Sequence, residues 1–191
     1  MDNWIFKYHE AIQKKEVIVG VWVRLCFEIL TTGLLNGEWE FNEKKANKAI
    51  KFIENFCHHS EGRNDLLHLE LWQKAIVSAI FGIMDKTTGY RQFREVFIIV
   101  ARKNGKTLFA AAIAAYMTYV DGEYGAKVYF LAPKLDQADL VYDAFYQIVQ
   151  SDDELDSITK KRRSDIYIKA FNTSVKKIAF NSKKSDGFNP Q

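Results

Sequence analysis

The sequence has little of several features that would define its class. It contains 2 cysteines and 2 prolines among 191 residues, which excludes a disulfide framework and a collagen-like or proline-rich chain. Its longest nearly uncharged stretch, residues 107–120, is shorter than the about 20 residues that a bilayer requires. The N-terminus lacks a basic region followed by an apolar one. We therefore predict a soluble, cytoplasmic chain without membrane association, in which Cys26 and Cys57 are reduced and buried.

Net charge is also low, at +3, and argues for no particular partner by itself. Its distribution is uneven, because residues 159–191 carry nine basic and two acidic side chains, an excess of seven positive charges. This region includes the run Lys160–Arg163. It is either a surface for a nucleic-acid phosphate backbone or a solvated face without a partner.

The remaining composition is typical of a globular protein, with 48% apolar and 27% charged residues. The length predicts one domain. Apolar residues at helical spacing predict helices in three stretches: residues 4–30, 42–57 and 71–82. Asn42 is a predicted N-cap, and Thr31–Gly33 is a predicted break. The chain up to residue 88 is therefore predicted to be a helical N-terminal segment.

The apolar period changes after residue 89. The β-branched and aromatic run at residues 96–100 predicts a strand that is buried on both faces of a parallel sheet. The almost uniformly apolar residues 105–120 predict a buried helix. Further strands are predicted at residues 128–131, 165–170 and 175–180, a further helix at residues 135–149, and a hairpin or sheet addition at Asn172–Thr173. This order predicts an α/β fold with a parallel sheet flanked by helices.

The strongest chemical signal lies where the first predicted strand meets the apolar helix. Residues 100–107 read Val-Ala-Arg-Lys-Asn-Gly-Lys-Thr and resemble a Walker A loop, although Val100 replaces the usual first glycine. Backbone N–H groups at a helix start bind phosphate, and Gly105 lets the backbone approach it. Lys106 would reach the β- and γ-phosphates, and the Thr107 hydroxyl would coordinate Mg²⁺. Alternatively, Lys106 is an ordinary exposed lysine, which the helix dipole disfavours.

The loop also resembles the deviant Walker A of one family, the large subunit of tailed-phage terminases, which lacks the first glycine and keeps an arginine. Similar segments lie on both sides of it: Phe52–Phe56, Leu71–Gln73, Phe81–Gly82, Gly122–Gly125, Val128–Ala132 and Asp136–Ala138. Residues 186–190 resemble the lead-in to the family's second nucleotide motif. The likeness covers roughly residues 5–190.

This resemblance implies an additional-strand P-loop ATPase, of which residues 89–191 are part of the core. Such an ATPase uses ATP and Mg²⁺ to translocate double-stranded DNA. Implied partners are the terminase small subunit, the portal protein and further copies in a ring. The implied nucleotide-binding residues are Trp72, Gln73, Arg102, Lys103, Asn104, Gly105, Lys106 and Thr107.

Roles within this set differ. Lys106 and Arg102 are the implied catalytic residues, with Arg102 reaching the γ-phosphate, and Thr107 is the implied metal ligand. Trp72 and Gln73 are implied on the adenine side. The open alternatives are a simple salt bridge for Arg102, a core position for Trp72 and an exposed helix position for Gln73.

The sequence departs from the family in lacking a Walker B motif, which is an apolar strand that ends in an acidic pair. The cluster Asp152–Glu154 follows a predicted helix and is expected to be a solvated turn. We therefore expect the front part of an ATPase domain, truncated before Walker B, that binds nucleotide weakly and hydrolyses it poorly.

Other functions stay open at this stage. A helicase-like P-loop ATPase or a nucleotide-independent phage assembly module would also fit the pattern. A zinc site built from Cys57, His58, His59 and His68 is disfavoured, because adjacent ligands converge poorly on one tetrahedral ion. A helix end is expected there instead.

Overall fold

The computed structural model describes residues 3–59, 62–121 and 124–179. Within them the helices are α1 (Trp4–Gln13), α2 (Val21–Leu35), α3 (Glu43–Phe56), α4 (Leu71–Gly82), α5 (Lys106–Tyr116), α6 (Leu135–Gln150) and α7 (Asp153–Ser157). The strands are β1 (Glu40–Phe41), β2 (Ile83–Met84), β3 (Lys127–Ala132), β4 (Thr159–Lys161), β5 (Ile166–Ile168) and β6 (Thr173–Ala179). A π-helical turn, Met117–Asp121, extends α5, and a 3₁₀ turn, Lys169–Phe171, follows β5.

Contacts divide the chain into two compact units. Unit 1 comprises Met1–Glu54 and His68–Ile99, and unit 2 comprises Asn55–Leu67 and Val100–Gln191. The functional division that the sequence suggests, at residue 88, stays a prediction.

The core of unit 1 forms where α1, α2 and α4 pack together. The rings of Tyr8 and Phe27 meet edge to face, with centroids 4.7 Å apart, a geometry that aromatic pairs prefer. Ile5, Ala75 and Ile83 are buried around this pair. Helices therefore form in the part of the chain where the apolar spacing predicts them, while its bounds as a separate segment stay a prediction.

Helix α2 differs from its prediction at both ends. The pattern at residues 4–30 is divided between α1 and α2, and α2 continues through the predicted break at Thr31–Gly33. The Thr31 hydroxyl donates to the Phe27 carbonyl oxygen at 2.8 Å, which satisfies it inside the helix. A Cβ at Gly33 would lie 2.6 Å from Cζ3 of Trp39. Gly33 therefore marks a close packing contact rather than a helix end.

Helices α3 and α4 lie close to their predicted positions. The Asn42 side chain accepts a hydrogen bond from the Lys45 N–H at 3.0 Å, which confirms the predicted N-cap. Helix α4 ends at Gly82, as predicted. A Cβ at Gly82 would lie 2.6 Å from Cε2 of Phe41 and 2.9 Å from Cβ of Ala46, so only glycine fits there without displacement.

Unit 2 contains a four-stranded sheet with the strand order β3-β6-β5-β4. The α/β class with flanking helices is confirmed. The β3–β6 pair is parallel, but β5–β6 and β4–β5 are antiparallel, so the prediction of a parallel sheet holds for one pair. Ile168 is opposite Thr173, which confirms the predicted hairpin and explains the antiparallel addition.

The predicted strand at residues 96–100 is not formed. Phe97 is 90% and Ile99 is 83% exposed. An apolar run becomes a strand only when a neighbouring strand takes up its backbone N–H and C=O groups, and no described strand pairs with it. Strand β3 forms as predicted, at an edge of the sheet, but its Leu131 is 51% exposed rather than buried.

Helices α5 and α6 pack together in unit 2, and α6 also covers β3 and β6. The Phe145 ring of α6 lies 5.9 Å from that of Phe130 and 6.4 Å from that of Tyr119. The predicted burial of the apolar helix is largely confirmed, since six of its side chains are buried: Phe109, Ala111, Ala112, Ala114, Ala115 and Tyr116.

The two cysteines differ in their surroundings. Cys57 is buried, as predicted. Burial, and to a lesser extent the Asp152 carboxylate, raises the pKa of its thiol to about 12. Cys26 is exposed on α2, so the prediction of a buried thiol is wrong for it. The described helices include none that is long and apolar enough to cross a membrane.

We predict that Gly82→Ala lowers the free energy of unfolding by about 1–3 kcal/mol, because the new methyl group overpacks the contact with Phe41 and Ala46. Urea denaturation followed by circular dichroism measures the effect. Gly20→Ser is the control, since a Cβ at Gly20 meets no atom within 4 Å. Equal stability of Gly82→Ala and the wild type would contradict the packing described here.

Candidate phosphate-binding site

The site is built on the loop that precedes α5. Gly105 is the N-cap of this helix and has left-handed backbone angles, φ 67° and ψ 14°. Lys103 is also left-handed, with φ 66°. A Cβ at Gly105 would meet no atom within 4 Å. Glycine is therefore favoured at this position by backbone conformation and not by crowding.

The first turn of α5 leaves its backbone donors available. Gly105 supplies no side-chain cap, and the turn contains no acidic residue. The helical hydrogen bonds begin with the Phe109 N–H, which donates to the Gly105 carbonyl oxygen at 2.9 Å. The N–H groups before Phe109 therefore have no acceptor within the helix. Such a group of donors, at the positive end of the helix dipole, favours an anion.

Three basic residues lie in this loop and at the start of α5. Arg102, Lys103 and Lys106 are exposed. None of them takes part in an ion pair with another described residue. In this structure Arg102 therefore does not form the simple salt bridge that the sequence left open. The positive charge of the loop is not neutralised by any carboxylate of the described chain.

Asn104 braces the loop. Its side-chain Nδ2 donates to the Arg102 carbonyl oxygen at 3.2 Å and lies 3.4 Å from the Ala101 carbonyl oxygen. The sequence predicts Asn104 only as a nucleotide-binding residue and does not reveal this role. An amide that bonds to backbone two or three residues earlier stabilises a tight turn.

The residues present fit a triphosphate with Mg²⁺. Unpaired cations and free helix donors match the charge of the phosphates, and Thr107 adds one partly exposed hydroxyl. The described residues include no group of three or more His, Cys, Asp and Glu side chains that could hold a metal. Mg²⁺ keeps several waters and binds through substrate phosphates, so a single hydroxyl from the protein matches the way in which this ion is held.

The two predicted adenine-side residues lie in unit 1, on the first turn of α4. Gln73 is buried, and its Oε1 accepts a hydrogen bond from the Glu70 N–H at 2.9 Å. Glu70 and Gln73 together form a capping box, which their three-residue spacing could have signalled. Trp72 packs partly buried against the unit 1 core. Contact of either residue with adenine stays a prediction.

Two other sequence expectations concern charged clusters. Asp152 caps α7, since its Oδ1 accepts a hydrogen bond from the Leu155 N–H at 3.0 Å. The acidic cluster is therefore the start of a short helix and not the expected turn.

The basic run Lys160–Arg163 lies exposed on β4 and the turn after it. The Lys161 ammonium lies 3.9 Å from the Tyr146 ring centroid, and the Arg162 guanidinium lies 3.6 Å from that of Tyr167. Residues 186–190 lie outside the described residues.

Comparison with known proteins identifies the family. The model of the terminase large subunit ATPase domain matches residues 71–191, which include the loop and α4. The chain belongs to this family. The match begins at Leu71, so α1, α2 and α3 lie outside it.

A solved structure extends the likeness in fold. The chain is similar to the crystal structure of the HK97 bacteriophage large terminase, with a TM-score of 0.65 and 24% sequence identity over 76% of this chain. The chain spans 29% of the length of that protein. A search of curated proteins finds no match.

We predict that substitutions at Gln73 separate capping from base recognition in this terminase domain. Gln73→Glu keeps an acceptor for the Glu70 N–H, whereas Gln73→Ala loses it and lowers stability by about 1 kcal/mol. Both variants lose the amide donor and should bind ATP and GTP more equally. Thermal unfolding and titration with each nucleotide measure the two effects. An unchanged preference for ATP in both variants would leave Gln73 with capping alone.

Proposed function

We propose that this chain is part of the motor ATPase of a phage DNA-packaging terminase. It binds ATP with Mg²⁺ at the loop of residues 102–107, and the intact motor couples hydrolysis to translocation of double-stranded DNA into a procapsid. The observation that carries the proposal is the left-handed Gly105, which starts α5 with free backbone donors beside the unpaired cation of Lys106. Membership of the terminase family supplies the reaction class.

Each loop residue has one task in this proposal. The N–H groups of the first turn of α5 and the Lys106 ammonium bind the β- and γ-phosphate oxygens. Arg102 reaches the γ-phosphate, where charge changes most during transfer. The Thr107 hydroxyl would hold Mg²⁺, which would supply charge neutralisation at the phosphates. Phosphoryl transfer depends mainly on such positioning and charge stabilisation, which this basic loop offers.

We expect the 191-residue chain alone to hydrolyse ATP slowly. Its sequence contains no apolar strand that ends in an acidic pair, and such a pair is needed to hold Mg²⁺ and orient water. Binding of Mg·ATP without rapid hydrolysis is therefore expected.

The proposed partners are double-stranded DNA, the terminase small subunit, the portal protein and other copies in a ring. The exposed residues Lys160–Arg163 support a contact with DNA phosphates, because no ion pair to a described carboxylate occupies them. The rings of Tyr146 and Tyr167 lie against the Lys161 ammonium and the Arg162 guanidinium and restrict their positions.

We predict that Lys106→Ala weakens Mg·ATP binding by about 10- to 150-fold, since bonds to charged groups contribute about 1.5–3 kcal/mol. Isothermal titration calorimetry measures the affinity. Lys134→Ala is a matched control, because Lys134 is likewise an exposed lysine at the start of a helix, in its case at the N-cap of α6. Absence of binding heat in the wild type, or equal losses in both variants, would refute the site and leave a nucleotide-independent assembly module.

A second substitution tests the metal ligand. Thr107→Ser keeps the hydroxyl and should retain the dependence of ATP affinity on Mg²⁺, whereas Thr107→Val should lose most of it. Titrations with ATP in the presence of Mg²⁺ or EDTA measure this dependence. If Thr107→Val responds to Mg²⁺ as the wild type does, the hydroxyl is not a ligand.

A further inference from the structure

Helix α2 is apolar on both of its long faces. The inner face buries Phe27 and Leu30 in the unit 1 core. The outer face carries Trp22, Leu25 and Ile29, which are 78%, 43% and 54% exposed. A helix that is apolar on all sides is normally covered on all sides, and exposed apolar patches mark interaction sites. We call Trp22, Leu25 and Ile29 the α2 stripe.

The spacing of the α2 stripe suits another helix. Steps of three and four residues are those of a coiled-coil seam. Along the helix, Trp22 and Ile29 lie at equal distances on either side of the midpoint between Leu25 and Cys26. If a second copy of α2 runs antiparallel across this point, Trp22 of one copy meets Ile29 of the other, and Leu25 meets Cys26. The large ring then packs against a smaller side chain at each end.

The charges of α2 favour the same arrangement. Arg24 and Glu28 are its only charged side chains, and neither forms an ion pair with a described residue. At 3.6 residues per turn both lie on the same side of the α2 stripe. In the antiparallel arrangement, Arg24 of one copy and Glu28 of the other lie at nearly the same height. Their offset along the helix axis is about one residue's rise, ~1.5 Å. In a parallel twofold arrangement this charged side of one copy would lie against the opposite, uncharged side of the other, so the two residues would not meet.

We propose that α2 is a twofold-symmetric interface between two copies of this chain. The two α2 helices pack antiparallel through the α2 stripe, and Arg24 of each copy pairs with Glu28 of the other, with both pairs along the same edge of the contact. An interface of this type closes on two copies, so it is distinct from the contacts between neighbours in the proposed ring. The inference rests on unit 1 alone and holds whether or not the loop at residues 102–107 binds nucleotide.

The first experiment is sedimentation of the full 191-residue chain from micromolar to several hundred micromolar concentration. A monomer–dimer equilibrium is expected. Trp22→Ser should weaken the dimer at least about tenfold, because this aromatic anchor is the largest side chain in the contact. Circular dichroism confirms that the variant folds, since Trp22 is exposed in the monomer. A chain that stays monomeric over the whole range overturns the proposal.

A charge swap identifies the occupant as a second copy. Arg24→Glu alone and Glu28→Arg alone each place like charges across the contact and should weaken the dimer by about tenfold or more. An equal mixture of the two variants should dimerise again, as should the double variant. Lys48→Glu, an exposed site on α3, controls for the change in net charge. A dimer that survives both single swaps, or a mixture that stays monomeric, overturns the arrangement.

Cys26 reports the geometry directly, because antiparallel packing brings the two Cys26 side chains close together. A short bis-maleimide should link two chains in the wild type and not in Cys26→Ser. The buried Cys57 does not compete in the folded protein. Failure to form this cross-link at concentrations where the dimer is present would show that the helices pack in another way.

Discussion

The start of helix α5 places the strictest constraint on the molecule. Gly105 turns the chain into the left-handed region, and the helix begins at the next residue. This reversal brings the backbone donors of the first turn and the Lys106 side chain to one place. Helix α5 is in turn held by its buried face and by packing against α6. The exposed loop is therefore attached to a well-packed helix. A site that binds phosphates needs such a support, because its groups must be held in fixed positions.

Much of the fold could be predicted from the sequence. Helices α3 and α6 have a single apolar face, α4 is a continuous apolar run that ends at Gly82, and the Asn42 cap is a local signal, so their predicted bounds hold closely. The strand predicted at residues 96–100 failed because its pattern specifies an apolar extended segment but not the neighbours that would pair with it. The break predicted at Thr31–Gly33 failed because Thr31 bonds within its own helix and Gly33 accommodates Trp39, a contact made at a distance in the sequence.

The candidate site, like the fold, could be predicted from the sequence only in part. The Walker A pattern identifies the loop, its cations and Thr107, since these follow from residue type and spacing. Two details depend on side-chain geometry instead: Asn104 braces the turn, and Gln73 caps α4. Family membership rests on residues 71–191, whereas the α2 stripe lies before that region. The loop at residues 102–107 and the α2 stripe are thus separate features, in different units of the chain.

The central claim is that the backbone around Gly105 grips phosphate, and amide NMR tests it most directly. Addition of Mg·ATP to the ¹⁵N-labelled chain should shift the N–H signals of Gly105, Lys106 and Thr107 strongly, and those of Leu135 and Asp136 at the start of α6 little. Shifts of equal size at both helix starts, or an unchanged loop in the presence of excess nucleotide, would contradict the account.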